Sequence, residues 1–291
     1  FGEEPYDWMI GDQENEKIQS AEKVYTGLSE LEAIDARKLS FLQDGSVDFV
    51  ITDPPYAGNL NYAELADFFY VWLRLLLARH YPLFAPEFTP KAEEIVENPA
   101  RGKTIQGFEA DLTQAFLECA RKVRDDGLMV FTFHHLEGRA WEAVLKAVCE
   151  AGFVIEGAYP VHGEKESSLH LQDKGGISYD LIHACRKRAG DASVEKRQWA
   201  GIRQEIRRRA REEIRAIEAG RYGAEPLSPP DVNIILIGKC LELYSRHYGA
   251  VMDQDTPFEL RDALKEIRSL VDQLVTTDRP LPSELEDIDA E

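Results

Sequence analysis

The sequence predicts an α/β fold, in which a mostly parallel sheet with an antiparallel edge is followed by a C-terminal helical extension. Three observations lead to this prediction. Short apolar runs rich in β-branched residues alternate with segments of helical periodicity between residues 46 and 185. The last two runs are joined by residues 160–176, which leave no room for a clear crossover helix. After residue 185 the strand pattern stops, and long helical segments take its place.

Four apolar runs predict the strands of the sheet. They occupy residues 46–52, 127–133, 153–161 and 177–185, and each has the composition of a buried strand. A weaker pattern over residues 24–34 indicates a strand and a turn around Gly27. The first run ends at the turn-forming Asp53-Pro54-Pro55, so we expect this strand to deliver a loop at its carboxyl end.

Helical periodicity predicts three helices among the strands, at residues 62–79, 108–123 and 138–151. The first of them is apolar over a wide face, so we expect it to be well buried. The extension is predicted to contain a long charged helix, a linker and two apolar helices, at residues 193–219, 220–230, 232–248 and 257–276. The chain is thereby divided into an acidic N-terminal segment, an α/β domain, the helical extension and an acidic tail, at residues 1–23, 24–190, 191–276 and 277–291.

Composition and charge narrow the class of protein. Of the 291 residues, 44% are hydrophobic and 30% charged, as in globular proteins rather than disordered ones. No apolar run is long enough to span a membrane. The four cysteines lack CxxC spacing, which argues against a metal site and favours the reducing cytoplasm. The net charge of −19 argues against a chain that coats nucleic acid unaided, although residues 186–221 carry 12 Lys/Arg against 6 Asp/Glu, a net of +6.

The string Asp53-Pro54-Pro55-Tyr56 is the most informative motif. It follows a predicted buried strand, at the edge where open α/β sheets bind their ligands. Two prolines stiffen the loop and remove N–H groups, so that backbone carbonyls are left to accept hydrogen bonds. The Asp53 carboxylate and the Pro54 carbonyl can both accept from one amino group, and the Tyr56 ring can stack on a planar heterocycle. The motif therefore suits the positioning of an aromatic amine; a capped, proline-rich turn with a packed Tyr is the alternative.

The residues around this motif resemble the amino-methyltransferases, which use S-adenosylmethionine to methylate exocyclic amines of nucleic-acid bases. Ile34-Asp35-Ala36 and the run from Gly45 to Tyr56 are similar to the cofactor-side acidic motif, the fourth strand and the catalytic loop of that family. Residues 61–73 and 231–245 are similar to the C-terminal half of the large prokaryotic adenine-specific DNA methylases that carry a zinc ribbon elsewhere. The resemblance covers most of residues 24–250. It implies a Rossmann-like methyltransferase sheet, S-adenosylmethionine as the cofactor, DNA methylation and a cytoplasmic location.

The resemblance also implies roles for single residues. The target base would be held by the catalytic loop, namely by Asp53, Pro54, Pro55 and Tyr56. Asp35 would lie near the cofactor adenine. The cleft after the catalytic loop would be lined by Asn59, Tyr62 and Glu64, of which Asn59 and Tyr62 would contact the cofactor. Tyr159 would form a second wall for the base. Simpler roles stay open beside these: a turn residue for Asp35, and a cap, a core residue or a solvated residue for the others.

The sequence departs from the family in one respect. These enzymes bind the methionine end of the cofactor with a glycine-bearing FxGxG loop, and no such string is present. The chain begins without Met and without a signal-peptide pattern. We therefore expect a fragment or one half of a split methyltransferase, completed by an upstream cofactor-binding segment or by a partner chain. A non-catalytic module that binds substrate is the alternative to an enzyme, and cytosine or RNA is the alternative to adenine in DNA.

Two further groups of side chains are candidates for binding. Arg203, Arg207, Arg211 and Arg215 recur every four residues and could contact phosphates, although interleaved acids also fit a salt-bridged, solvated helix. His134 and His135 follow a predicted strand, where one of them could face the cleft or both could be surface residues. His162, Glu164 and Glu166 lack a spacing that fixes them on one face, so we predict no metal site.

Overall fold

The structure, a computed structural model, describes residues 23–26, 29–163, 178–188, 195–223 and 227–278. Its central element is a four-stranded sheet of β3 (Val47–Thr52), β4 (Val123–Thr132), β5 (Phe153–His162) and β6 (Tyr179–Lys187). The hairpin β1 (Lys23–Thr26) and β2 (Ser29–Glu32) precedes it. The predicted α/β class is therefore confirmed, as are the four predicted runs of strand.

The strand order is β3-β4-β6-β5. β3 and β4 are parallel, whereas β6 runs antiparallel to both β4 and β5. Three of the four strands consequently point the same way, and the antiparallel pair β5–β6 forms one edge, as the short connection predicted. At the opposite edge, β3 pairs with β4 alone among the described residues.

Six α-helices accompany these strands in the described part of the chain. They are α1 (Tyr62–Leu77), α2 (Ile105–Lys122), α3 (Gly138–Glu150), α4 (Trp199–Glu218), α5 (Pro229–Arg246) and α6 (Leu260–Asp278). A small sheet is formed by β7 (Arg197–Gln198), β8 (Val251–Asp253) and β9 (Thr256–Pro257). It connects the segment directly before α4 with the segment between α5 and α6. No helix of the described segments is long and apolar enough to cross a membrane.

One face of the four-stranded sheet, here called the covered face, carries the core. Its side chains include Met129 and Phe131 of β4, His183 of β6 and Phe153 of β5, all of them buried. α2 and α3 pack on it; the ring of Phe116 lies 5.7 Å from that of Phe131, and the ring of Trp141 lies 5.8 Å from that of His183. α3 begins at the predicted residue 138, whereas α2 begins at Ile105, three residues before the predicted start. Thr104 caps α2 there by accepting a hydrogen bond from Gly107 N.

The extension belongs to the same core, because α5 crosses the covered face at β5. Gly238 permits the close approach: a Cβ there would lie 2.6 Å from Leu181 Cδ1. β5 is irregular between Ile155 and Gly157, and two α5 side chains take up backbone donors near that point. Ser245 Oγ accepts from Ile155 N at 3.1 Å, and Glu242 Oε1 accepts from Ala158 N at 2.7 Å. These bonds satisfy N–H groups that would otherwise be buried without partners.

The opposite face, here called the open face, carries Phe49, Ile51, Leu128, Val130 and Ile182, and no described helix covers it. The register pairs Ile51 with Val130, so both side chains point to this side. Ile51 is 79% exposed and Phe49 65% exposed. An α/β sheet is normally covered on both faces, which makes this face unusual.

The prediction that the first helix is well buried is wrong. None of the residues of α1 is buried, and Phe68, Trp72 and Leu76 are 67%, 64% and 72% exposed. α1 is instead held by polar contacts to the segment that follows it: Thr89 Oγ1 donates to Ala63 O, and Lys91 pairs with Asp67. Apolar composition predicts that a helix will pack against something, but it does not show whether the partner lies in the same chain segment.

Candidate functional site

The catalytic loop predicted from the sequence begins directly after β3. Asp53 is exposed, Pro54 is buried, and Ala57 adopts a left-handed conformation with φ of +51°. Asn59 N donates to Tyr56 O at 3.1 Å, which closes a tight turn after the motif. Thr132 at the end of β4 donates its hydroxyl proton to Asp53 Oδ1. The loop is therefore tied to the neighbouring strand at its first residue, while the second carboxylate oxygen of Asp53 has no bond to another described residue.

An open cleft of about 850 Å³ lies beside this loop. It brings together Asp53, Pro54 and Pro55 with two residues predicted to contact the cofactor, Asp35 and Tyr62. Its remaining lining is partly apolar and partly acidic, comprising Ala33, Ile34, Ala36, Leu60, Leu83, Pro90, Glu93, Glu94 and Ile95. Residues that lie far apart in the sequence thus converge where β3 ends.

Asp35 is already engaged by a cation. The Arg37 guanidinium donates to both of its carboxylate oxygens, and Arg37 N donates to Oδ1 at 2.9 Å. Arg37 also pairs with Asp111 on α2. The side-chain hydrogen bond from Arg37 lowers the pKa of Asp35, so this carboxylate is ionised at neutral pH.

Tyr56 points away from the cleft. Its hydroxyl donates to Asp180 Oδ2 at 3.0 Å, and its ring centroid lies 5.0 Å from that of Phe133 and 5.1 Å from that of His134. Burial is the main cause of a raised pKa for Tyr56, and the charges of Asp180 and Asp53 act in the same direction. The hydroxyl therefore stays protonated and remains a donor.

Asn59 and Glu64 are not part of the large cleft. Asn59 Oδ1 lies 3.1 Å from His135 Nε2, and both residues line a smaller cavity of about 280 Å³ behind the loop. Burial lowers the pKa of His135, which is therefore neutral at neutral pH. Glu64 accepts from Arg101 and Asn98, so it anchors the segment before α2.

Tyr159 lies on the open face, in the row of side chains that ends at the catalytic loop. The register pairs Tyr159 with Ile182, and Ile182 with Thr132, the residue that binds Asp53. Its ring lies over Gly157, where a Cβ would come within 2.6 Å of the Tyr159 hydroxyl. Lys239 Nζ lies 5.3 Å from the ring centroid, a cation–π distance. Tyr159 is 57% exposed and presents a fixed aromatic surface.

The four arginines lie on α4, one position beyond its buried stripe of Ile202, Ile206, Ala210 and Ile214. Arg203 Nε lies 3.1 Å from Glu266 Oε2 of α6, which links this helix to the last one. α4 packs in the extension rather than beside the catalytic loop.

The parts of the chain that the structure describes contain no group of three or more His, Cys, Asp or Glu residues that could hold a metal ion. Glu164 and Glu166 lie outside these residues, while the His162 ring contacts that of Tyr179. The four cysteines are free and buried. Burial raises the pKa of Cys119 to about 11, so this thiol is protonated at neutral pH.

Two side chains at the site, Thr132 and Asp180, were missed by the sequence reasoning, which named His134 as a candidate but not its contact with Tyr56. Thr132 and Asp180 approach the loop from β4 and β6, up to 124 positions away in the chain. The end of a strand next to the catalytic loop is the one signal that could have drawn attention to Thr132. No sequence feature distinguishes Asp180.

Comparisons with known proteins give limited similarity. No protein-family model and no curated protein matches the chain. Among solved structures, it is similar to a candidate DNA modification methylase from Thermus thermophilus in its selenomethionine form, with 16% identity, a TM-score of 0.31, and coverage of 63% of this chain and 61% of that chain. The form of that protein complexed with S-adenosyl-L-methionine gives 15% identity, a TM-score of 0.31, and coverage of 81% and 93%.

Proposed function

We propose that the chain takes part in methyl transfer from S-adenosylmethionine to the exocyclic amine of a nucleic-acid base, with adenine in DNA as the substrate. The observation that carries this proposal is the cleft in which Asp35 and Tyr62 meet Asp53, Pro54 and Pro55. The resemblance assigns the first two to the cofactor and the last three to the target base. Their convergence is what such a reaction needs, since the amine and the methyl group must meet in one place.

The cleft has a chemistry that fits this cofactor. Apolar side chains such as Leu60 and Ile95 can contact an adenine ring, and Tyr62 can stack on it. Ionised Asp35 can accept hydrogen bonds from ribose hydroxyls, and the acidic lining suits a positively charged sulfonium. When bound, the cofactor supplies an electrophilic methyl group.

The loop residues perform the positioning. Thr132 holds one oxygen of Asp53, so the other oxygen and the Pro54 carbonyl can accept the two N–H groups of the target amine. The amine lone pair is then directed at the methyl carbon. Asp53 stabilises the positive charge that develops on nitrogen until a proton leaves. The carbonyls freed by the two prolines and the Asp53 carboxylate thus act together on one nitrogen.

The substrate is a base taken out of its stack, because a base inside a duplex cannot reach a cleft at a strand end. Tyr159, fixed by Gly157 and Lys239 on the open face, supports the role of a stacking wall. The arginines of α4 are the candidates for phosphate contacts, and Arg203 among them lies 3.1 Å from Glu266. Cytosine and RNA remain the alternative substrates.

A second candidate function is that of a split half that binds substrate and receives its cofactor site from a partner chain or from an upstream segment. The open face, the edge of β3 that no described strand pairs and the exposed apolar side of α1 favour it. A free strand edge pairs with another strand, and apolar surface of this extent is typical of an interaction site. An α/β segment with a strand and apolar helices has the chemistry to cover all three.

The decisive experiment measures transfer of a labelled methyl group from S-adenosylmethionine to unmethylated DNA. Asp53→Ala is expected to lower the rate by at least about 100-fold, the usual effect of removing one group that stabilises developing charge, with an unchanged unfolding transition. The matched control is Asp48→Ala, which removes an exposed carboxylate of β3 that is paired with Arg124. Equal activity of the two variants would contradict the role of Asp53. Isothermal titration of the chain with S-adenosylmethionine separates the two candidates, since a split half binds the cofactor weakly or not at all by itself.

A further inference from the structure

Three titratable side chains from three different elements meet behind the catalytic loop. Tyr56 comes from the loop after β3, His134 follows β4, and Asp180 belongs to β6. The Tyr56 hydroxyl donates to Asp180 Oδ2 at 3.0 Å, and His134 Nδ1 lies 3.1 Å from Asp180 Oδ1. Their polar atoms meet one another rather than the apolar core, so packing alone does not account for them. The cluster therefore calls for an explanation in terms of the loop.

The centre of the cluster is an anion. Burial raises the pKa of Asp180, but the neighbouring His134 imidazole and the hydrogen bond from the Tyr56 hydroxyl oppose burial, and the net pKa lies below the usual value. Leu181 N adds a hydrogen bond to Oδ1 at 2.8 Å. Asp180 is thus an ionised acceptor that is held in place by its own backbone. A charge-assisted acceptor of this kind fixes a hydroxyl more firmly than a neutral one does.

The Tyr56 ring is consequently held at both ends. Its hydroxyl is fixed by Asp180, and its ring is enclosed by Phe133 and, edge-on, by His134. The same loop is fixed three residues earlier by the bond from Thr132 to Asp53. The loop therefore has two tethers, one to β4 and one to β6, and the two prolines span the distance between them. Losing either tether allows the Asp53 carboxylate and the Pro54 carbonyl to drift apart.

We propose that Asp180 is a positioning residue for the catalytic loop. One of its carboxylate oxygens accepts a hydrogen bond from the Tyr56 hydroxyl, and the other lies next to His134. Asp180 thereby fixes the loop so that Asp53 and the Pro54 carbonyl point at the same amine. The inference rests on the proposed methyl transfer and adds a residue to its machinery. It also assigns Tyr56 a different task from that implied by the resemblance. Its hydroxyl serves the loop, and its effect on the base is exerted through Asp53.

The test is a double-mutant cycle on methyl transfer to unmethylated DNA. Tyr56→Phe and Asp180→Ala remove the two ends of one tether. Each is expected to lower kcat by on the order of 10-fold with little change in KM for DNA, because positioning acts on the reacting groups rather than on DNA binding. The double variant is expected to lose no more than either single variant, and Asp180→Asn, which keeps an acceptor, to recover most of the activity. If the loss of kcat in the double variant equals the product of the two single losses, or if the variants change only KM, the proposal is overturned.

Matched controls separate positioning from loss of folding. Tyr70→Phe removes another tyrosine hydroxyl, which belongs to α1 and donates to Pro86 O, and Asp125→Ala removes an exposed carboxylate that pairs with Lys187. Both are expected to retain wild-type kcat. All variants are compared in a thermal unfolding scan.

A second measurement does not depend on catalysis. The exchange of the Tyr56 hydroxyl proton with water is measured by nuclear magnetic resonance on protein labelled at tyrosine, and Tyr56→Phe identifies the signal. Exchange is expected to be at least about ten times faster in Asp180→Ala than in the wild type, since the proton loses its acceptor. An unchanged exchange rate overturns the tether. Absence of methyl transfer in the wild type, by contrast, refutes the proposed function, while the exchange rate continues to decide whether the tether exists.

Discussion

Both faces of the four-stranded sheet carry apolar side chains, but the two faces differ in how far these side chains are buried. On the covered face, Phe131 and Met129 are almost inaccessible beneath α2 and α3. On the open face, Ile51 is exposed, as is the apolar α1 beyond it. The alternation of side chains along a strand sends neighbours to opposite faces, so both sets belong to one continuous run. The difference shows that an apolar run predicts a strand but does not show which of its two faces the other described elements cover.

The largest expected effect is a contrast in stability between the faces. Phe131→Ala should lower the free energy of unfolding by about 3–5 kcal/mol, because it leaves a cavity in close-packed surroundings. Ile51→Ala on the open face should change it by no more than about 0.5 kcal/mol. Denaturant unfolding of the two variants gives both numbers. If Ile51→Ala costs as much as Phe131→Ala, the open face is packed in solution and the comparison fails.

A pH effect on stability should arise on the covered face. Burial lowers the pKa of His183 to about 4, and its ring stacks 4.7 Å from Phe131. His183 binds a proton near pH 6.5 in the unfolded chain and near pH 4 in the folded chain. The contribution of neutral His183 to the free energy of unfolding is therefore fully present above pH 6.5 and is lost as the pH falls from 6.5 to 4. The loss amounts to about 3 kcal/mol. Unfolding curves between about pH 4 and 7.5 should show it in the wild type and in His80→Gln, which alters a histidine after α1. This loss of stability at low pH should be absent in His183→Leu. If the free energy of unfolding of that variant still falls between about pH 6.5 and pH 4, His183 is not the source of the loss.

A smaller effect tests whether nucleic acid reaches the extension behind the covered face. Reversing Arg207, Arg211 and Arg215 to Glu should weaken DNA binding about equally for every sequence, on the order of 10-fold at low salt. It should also reduce the slope of log affinity against log salt by about 0.9 for each phosphate that is no longer neutralised. Fluorescence anisotropy at several salt concentrations measures both quantities. Arg203→Glu, which breaks the pair with Glu266, serves as a stability control. An unchanged slope in the triple variant indicates a solvated helix and places the DNA elsewhere.

The smallest expected effect on stability comes from α1. Trp72→Lys should leave the free energy of unfolding within about 0.5 kcal/mol, because the side chain is exposed and touches no core. The same substitution should lower the fluorescence of bound 1-anilinonaphthalene-8-sulfonate, which reports accessible apolar surface. Glu87→Lys, at an exposed position beyond α1, is the control for the added charge. A cooperative loss of stability in Trp72→Lys would show that α1 is packed against something in solution.

Much of the sheet and part of the site could be predicted from the sequence. The β-branched runs located β3, β4, β5 and β6 within a few residues, because strand composition and turn residues are local properties. The string Asp53-Pro54-Pro55-Tyr56 could be assigned to a loop at a strand end for the same reason. The burial of α1 could not be predicted, since periodicity identifies an apolar helix but not its neighbour. The roles of single residues beyond the motif, and the boundaries of the domains, remain predictions.

What the sequence by itself determined is the chemistry available at one point of the chain: a carboxylate, two prolines and an aromatic ring directly after a strand. Tertiary structure decided which groups act with them. Strand order set β4 beside β3 and brought β6 next, so that Thr132 reaches Asp53 and Asp180 reaches Tyr56. It also turned Tyr56 inward, directed Asn59 to His135 and left one face of the described sheet open. The physical reason is that strand order and the direction of a side chain are set by packing between distant segments, which no local pattern encodes.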